Sequence, residues 1–208
     1  IDYSLLFGGS IAAGDTLQYF VVAQDLAGTP NVGINSGTFA VNPTSVALTS
    51  AAFPLTGTIN SYNILGTISG TKTVGATGAD YTTLTAAVAD LNGKELNGAL
   101  IFSLIDASYP SETFPITINP NPGSSASNTI TIKPAGSMTP SFSSTSASSI
   151  IKINGADYVT IDGSNTALSP NGTDKSLTIS NTSTAASTAA IWVASLGTGA
   201  GATNVTIK

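Results

Sequence analysis

Two kinds of side chain in this sequence invite a chemical reading: scattered carboxylates and a single tryptophan. Sugar hydrolysis needs two carboxyl groups roughly 5 to 10 Å apart across the scissile bond. Asp157 and Asp162 are five residues apart, which puts them on opposite faces of a strand. Asp162 opens an Asp-Gly turn and Asp174 follows Asn171-Gly172-Thr173. Asp at such places ordinarily bonds the local backbone. Asp162, Asn165 and Asp174 are also the residues that would ligate Ca²⁺ if successive coils brought them together, because calcium takes several oxygen ligands. No other cofactor is expected. Trp192 lies in Ile191-Trp192-Val193, so it faces away from its apolar neighbours. It either stacks on a sugar ring or is covered by the Gly-rich stretch 197–201. No catalytic residue is assigned.

The rest of the composition narrows the chemistry. The 208 residues contain no His, no Cys and no Arg, with six Lys against eleven Asp and Glu. Triads and dyads built on His or Cys are excluded, as are zinc ligation by those residues and disulfide frameworks. A lyase base would have to be a lysine such as Lys133 or Lys152, and no dense acidic cluster stands near either in sequence. The net charge of −5 argues against nucleic acid as a partner. No apolar run approaches the ~18 residues of a membrane span. Ser and Thr contribute 57 residues, which keeps a surface soluble with few charges. Few basic residues, no thiols and no visible signal peptide suit a mature segment of a secreted or surface-exposed bacterial protein.

The elements that would position these residues fall into two regions. Residues 1–66 alternate strands with turns at 8–10 and 13–15. Residues 1–7 read as a strand. Residues 17–23 are apolar on both faces, which predicts a central sandwich strand. Gly28, Pro30 and Gly33 break the loop at 25–35, a short strand covers 38–41, and 43–61 reads as a linker or edge strand. The strands are too few for a full seven-stranded sandwich.

Residues 67–208 have another rhythm. Leu84, Ala87, Val88 and Leu91 make one apolar helical face, with Asp80 or Thr83 as N-cap and Gly93 as a left-handed C-terminal residue. Short strands follow. An apolar–Thr–Ile triplet recurs at 116–118, 130–132, 159–161, 177–179 and 205–207. The order ITIK, IIKI, VTID is echoed by LTIS, AIWV, VTIK at offsets of 47, 40 and 46 residues. Short strands with uneven loops predict stacked parallel coils sharing one apolar core. The helix about 80–92 would then cover an end that otherwise exposes strand edges. The repeated Thr is read as a β-forming ladder. A flat ice-binding array would need two Thr per strand on one sheet.

The segment Gly78 to Val88 resembles the capping segment of right-handed parallel β-helix proteins of the pectin lyase-like superfamily. Residues 108–116, SYPSETFPI, are similar to the Tyr-x-Glu stretch that follows it in pectinesterase-like members, and Tyr158 to Gly163 resembles the coil signature ending in Ile-Asp-Gly. Residues 1–66, with the run from Gly14 to Asp25, resemble the end of an Ig-like or FnIII-like module, which commonly precedes such β-helices in large type IX-secreted bacterial surface proteins. The resemblance implies an all-β fold: 1–66 an Ig/FnIII-like module and linker, 67–208 the helix-capped start of a β-helix, both cut from a longer chain. It also implies secretion to the cell surface. The expected function is structural or adhesive, as part of an extended fibre. The expected partners are neighbouring domains, extracellular polysaccharide or surface glycans, and a second copy pairing end to end. The alternative is a polysaccharide lyase, glycoside hydrolase or carbohydrate-binding module. The catalytic residues of enzymatic members fall on coils beyond Lys208, so none transfers.

Overall fold

The computed structural model describes residues 10–165 and 174–208. The expected strand at 1–7, most of the turn at 8–10 and the loop 171–173 lie outside the described residues. The chain divides into two compact units, Ile1–Gly66 and Thr67–Lys208.

The first unit holds two antiparallel ribbons. β1 (Thr16–Tyr19) pairs with β4 (Asn60–Asn63), and β2 (Val22–Gln24) pairs with β3 (Val32–Ile34). The expected central strand over 17–23 is therefore broken at Phe20-Val21. Among the described residues each half has a partner on one side only, and Tyr19 and Val21 are about half exposed, at 49% and 59%. Gly33 sits inside β3 rather than breaking a loop. The turn before it is closed by Asp25, whose carboxylate accepts from Asn31 N (2.8 Å), Ala27 N (3.2 Å) and Asn31 Nδ2 (2.5 Å). Those bonds, the Asn31 side chain foremost, hold its carboxyl below the usual range. The expected strand at 38–41 shrinks to one bridge between Thr38 and Thr56. Phe39 and Ala52 are the buried apolar side chains among the described residues of this unit.

Among its described residues the second unit is β-rich, with one helix and parallel sheets. β5 (Gly66–Val74) leads to α1 (Leu84–Asn92) and then to β6 (Lys94–Leu104). β6, the longest strand, contradicts the expectation of short strands alone after the helix. Its signal was present in Leu100, Phe102 and Leu104, which alternate inward and are fully buried. Eight strands follow: β7 (Ile116–Ile118), β8 (Ile130–Pro134), β9 (Ser141–Ser144), β10 (Ser149–Asn154), β11 (Val159–Ile161), β12 (Thr178–Asn181), β13 (Ala189–Ala194) and β14 (Thr206–Ile207). They visit three sheets in fixed rotation: β7, β10 and β13 in one, β8, β11 and β14 in a second, β9 and β12 in a third. Every pairing among them is parallel.

Register explains the core. Leu100, Ile130 and Val159 align, as do Phe102, Ile132 and Ile161, and Ile116, Ile151 and Ile191. Each triplet thus stacks its first and third residues on the same residues of the next rung. A three-residue strand cannot bury them alone, so stability comes from the stack.

Helix α1 covers one side of this core. It has nine residues, too short to persist in isolation, and its burial supplies what propensity lacks. Leu84, Ala87, Val88 and Leu91 are at most 2% exposed. Burying each of the larger three contributes roughly 1.5–3 kcal/mol. Thr83 is the N-cap, accepting from Ala86 N at 3.0 Å. Asp80 is used elsewhere: it accepts from Thr73 N (2.7 Å) and Thr73 Oγ1 (2.8 Å), which sets the helix start at Leu84. Gly93 has φ −96°, not the expected left-handed value, because the chain passes directly into β6. No helix among the described residues is long and apolar enough to cross a membrane.

Candidate functional site

The outer face of the β7/β10/β13 sheet carries the one exposed aromatic–cationic pair that the sequence singled out in part. Register places Thr117, Lys152 and Trp192 in a row on successive strands. Their neighbours on each strand, Ile116 and Ile118 or Ile151 and Ile153, point inward and are buried. The Lys152 Nζ lies 5.0 Å from the Trp192 ring centroid. At an exposed site such a contact is worth about 0.5–1 kcal/mol. Trp192 remains 44% exposed. The stretch 197–201 does not cover it. That loop closes on itself through Leu196 N to Ala200 O (2.9 Å) and packs over Gly155, where an added Cβ would meet Ala200 O at 3.1 Å. Beside the row, Asn154 Nδ2 donates to Asn119 Oδ1 at 3.1 Å. The result is a half-exposed indole beside a cation, with an amide pair on the same sheet face.

The structure gathers Asn165 and Asp174 near Ser164. Asp174 Oδ1 accepts from Ser164 Oγ at 2.9 Å, and its Oδ2 accepts from Asn165 N (2.7 Å) and Ser176 Oγ (2.9 Å). The Asn165 side chain donates to Met138 O at 2.9 Å. Asp162 is 5% exposed, accepts from Ser164 N at 3.0 Å and pairs with Lys208 Nζ at 3.3 Å. These oxygens face N–H, O–H and ammonium donors. Among the described residues no three Asp or Glu side chains converge as a metal-binding group. Asp157 likewise serves the backbone: its Oδ1 accepts from Thr203 N (2.6 Å) and Thr203 Oγ1 (2.7 Å), tying two rungs together.

Sequence reasoning missed one heavily used carboxylate. Glu112 accepts from Leu84 N (2.6 Å), Thr85 N (2.7 Å) and Thr85 Oγ1 (2.6 Å). It therefore places a negative charge against the first-turn N–H groups of α1, where the helix dipole favours it. Tyr109, three residues earlier, is 6% exposed and donates to Val74 O at 2.7 Å. Its ring stacks on Phe142 with centroids 4.6 Å apart. Burial pushes its hydroxyl pKa up to about 12. The Tyr-Pro-Ser-Glu run thus clamps α1 and β5 to the coils. A second clamp joins Tyr81, Asp90 and Lys94. Tyr81 OH donates to Asp90 Oδ2 at 2.5 Å and Lys94 Nζ stands 2.9 Å from the same oxygen. Burial works to raise Asp90, but those two donors win and its carboxyl sits below its usual value. Burial first, then the Asp90 bond, lifts Tyr81 to about 12.

Two clefts among the described residues are small. A groove between α1 and β7, lined by Val88, Ala89, Asn92 and Pro115, holds about 160 Å³, and a cleft beside Glu112 about 60 Å³. Ligand pockets ordinarily run from about 300 Å³. Thr117, Thr178 and the aligned Thr131, Thr160 and Thr206 fall on three different sheets, so the repeated Thr makes no single array. No family model, no curated protein and no solved structure matches this chain.

Proposed function

We propose that this chain is a structural or adhesive segment of a secreted bacterial cell-surface protein, with an Ig/FnIII-like module leading into a helix-capped right-handed parallel β-helix. The observation that carries the reading is the use of the polar groups. Glu112, Asp80, Asp90, Asp157, Asp162 and Asp174 all bond to the fold's own donors, and the described clefts are smaller than a ligand pocket. The outlay of charge goes into holding rungs, which suits a load-carrying stalk that lengthens by adding coils.

One observation favours a second reading, carbohydrate binding: Trp192 is half exposed beside Lys152 on a regular sheet face. Both readings are separated by passing the chain over immobilised polysaccharides, with and without calcium, while assaying for sugar release and unsaturated products. Absence of both retention and product is the stalk's result. Retention without product, lost in Trp192→Ala, makes the segment adhesive through that face. Product formation overturns the proposal in favour of an enzyme.

A further inference from the structure

The residue directly after each stacked triplet of one sheet forms a charge sequence across the rungs. Lys133 follows Ile130-Thr131-Ile132, Asp162 follows Val159-Thr160-Ile161, and Lys208 follows Val205-Thr206-Ile207. The strands pair in that order, β8 with β11 and β11 with β14. Asp162 N donates to Ile132 O and Lys208 N donates to Ile161 O, so the three residues occupy successive places one strand apart. Lys133 is 8% exposed and Asp162 is 5% exposed. Lys208 Nζ reaches Asp162 Oδ2 at 3.3 Å.

We infer that this Lys133–Asp162–Lys208 row is a register key, which fixes the order in which otherwise interchangeable rungs stack. Within this sheet the apolar surfaces do not set that order. Val159-Thr160-Ile161 and Val205-Thr206-Ile207 differ in no residue, so either stacks equally well on Ile130 and Ile132. If β14 took the place of β11, the apolar contacts within this sheet would be kept. The charges would not: two ammonium groups would then face each other about one strand spacing apart, ~4.8 Å. At sites as buried as those of Lys133 and Asp162, like charges at that distance disfavour the skipped order, while the native order pairs Lys208 with Asp162 and keeps Asp162 between the two lysine positions.

The absence of cysteine makes the test clean. Thr131, Thr160 and Thr206 are aligned on the outer face of these strands. Cysteines are introduced in pairs and treated with a thiol cross-linker spanning about 5 Å, one strand spacing. In the otherwise native chain, the pairs 131/160 and 160/206 cross-link and 131/206 does not. Asp162→Lys lowers the 160/206 yield about tenfold or more, through misordering or loss of the fold. The compensated variant Lys133→Asp with Asp162→Lys and Lys208→Asp restores the native pattern. Unchanged yields in Asp162→Lys overturn the inference. So does a compensated variant that cross-links no better than Asp162→Lys alone, including the case in which both fail to fold.

Discussion

Replacing Glu112 tests whether the Tyr-x-x-Glu run works as a clamp on the covering helix. Its carboxylate receives three short hydrogen bonds, two of them from first-turn N–H groups of α1. Removing a helix cap costs about 0.5–2 kcal/mol. The charge against the helix N-terminus adds about 0.3–1 kcal/mol. The site is half buried, so water returns to part of the vacated space and the upper limits do not simply add. Glu112→Ala is therefore expected to cost about 2 kcal/mol. Glu112→Gln keeps one acceptor but loses the charge, and is expected to cost about 1 kcal/mol. Trp192, the sole tryptophan, lies in the same unit and reports unfolding in urea by its fluorescence. At roughly 2–4 °C per kcal/mol for a chain of this size, Glu112→Ala should lower the melting temperature by about 4–8 °C. A loss below about 0.5 kcal/mol for Glu112→Ala would refute the clamp, as would a cost for Gln equal to that for Ala.

Three further outcomes follow from the same structure. Gly123→Ala should cost several kcal/mol in urea unfolding, or abolish folding, since an added Cβ would stand 2.1 Å from Leu96 O, a backbone atom with nowhere to move. The contribution of Tyr81 and Tyr109 to stability should be complete below pH 10 and fall as pH climbs toward 12. Tyr81 and Tyr109 titrate near 12 in the fold against 10.0 unfolded, so the unfolded chain ionises first. For Tyr109, almost fully buried, the loss approaches about 2–3 kcal/mol, and unfolding followed against pH should flatten in Tyr109→Phe. At the acid end Asp80 and Asp90 sit below 3.8, so their contribution is present above that value and disappears as pH falls through their folded pKa values. Asp80→Asn should make the acid transition shallower, as circular dichroism would show.

The local patterns carried far in this protein, and the long-range partners did not. Apolar–Thr–Ile spacing determined which side chains enter the core, because a strand alternates faces whatever it pairs with. Ile116, Ile118, Ile130, Ile132, Val159 and Ile161 are all buried. The face Leu84, Ala87, Val88 and Leu91 determined the helix and its buried side for the same reason, a fixed period. The sandwich strand over 17–23 misled, since apolarity on both faces says nothing about whether a neighbour arrives to cover it. β6 was passed over because Lys94 to Gly98 masks the alternation that begins at Leu100.

What the tertiary structure decided is which polar group answers which. Glu112 meets the helix start 27 and 28 residues earlier. Trp192 meets Lys152 rather than the loop beside it in sequence. Lys133, Asp162 and Lys208 form a row although 29 and 46 residues separate them. Uneven loops hide such partners from any periodic reading. Hydrogen bonds and ion pairs depend on distances of a few ångströms, and only the stacking of the rungs sets those distances.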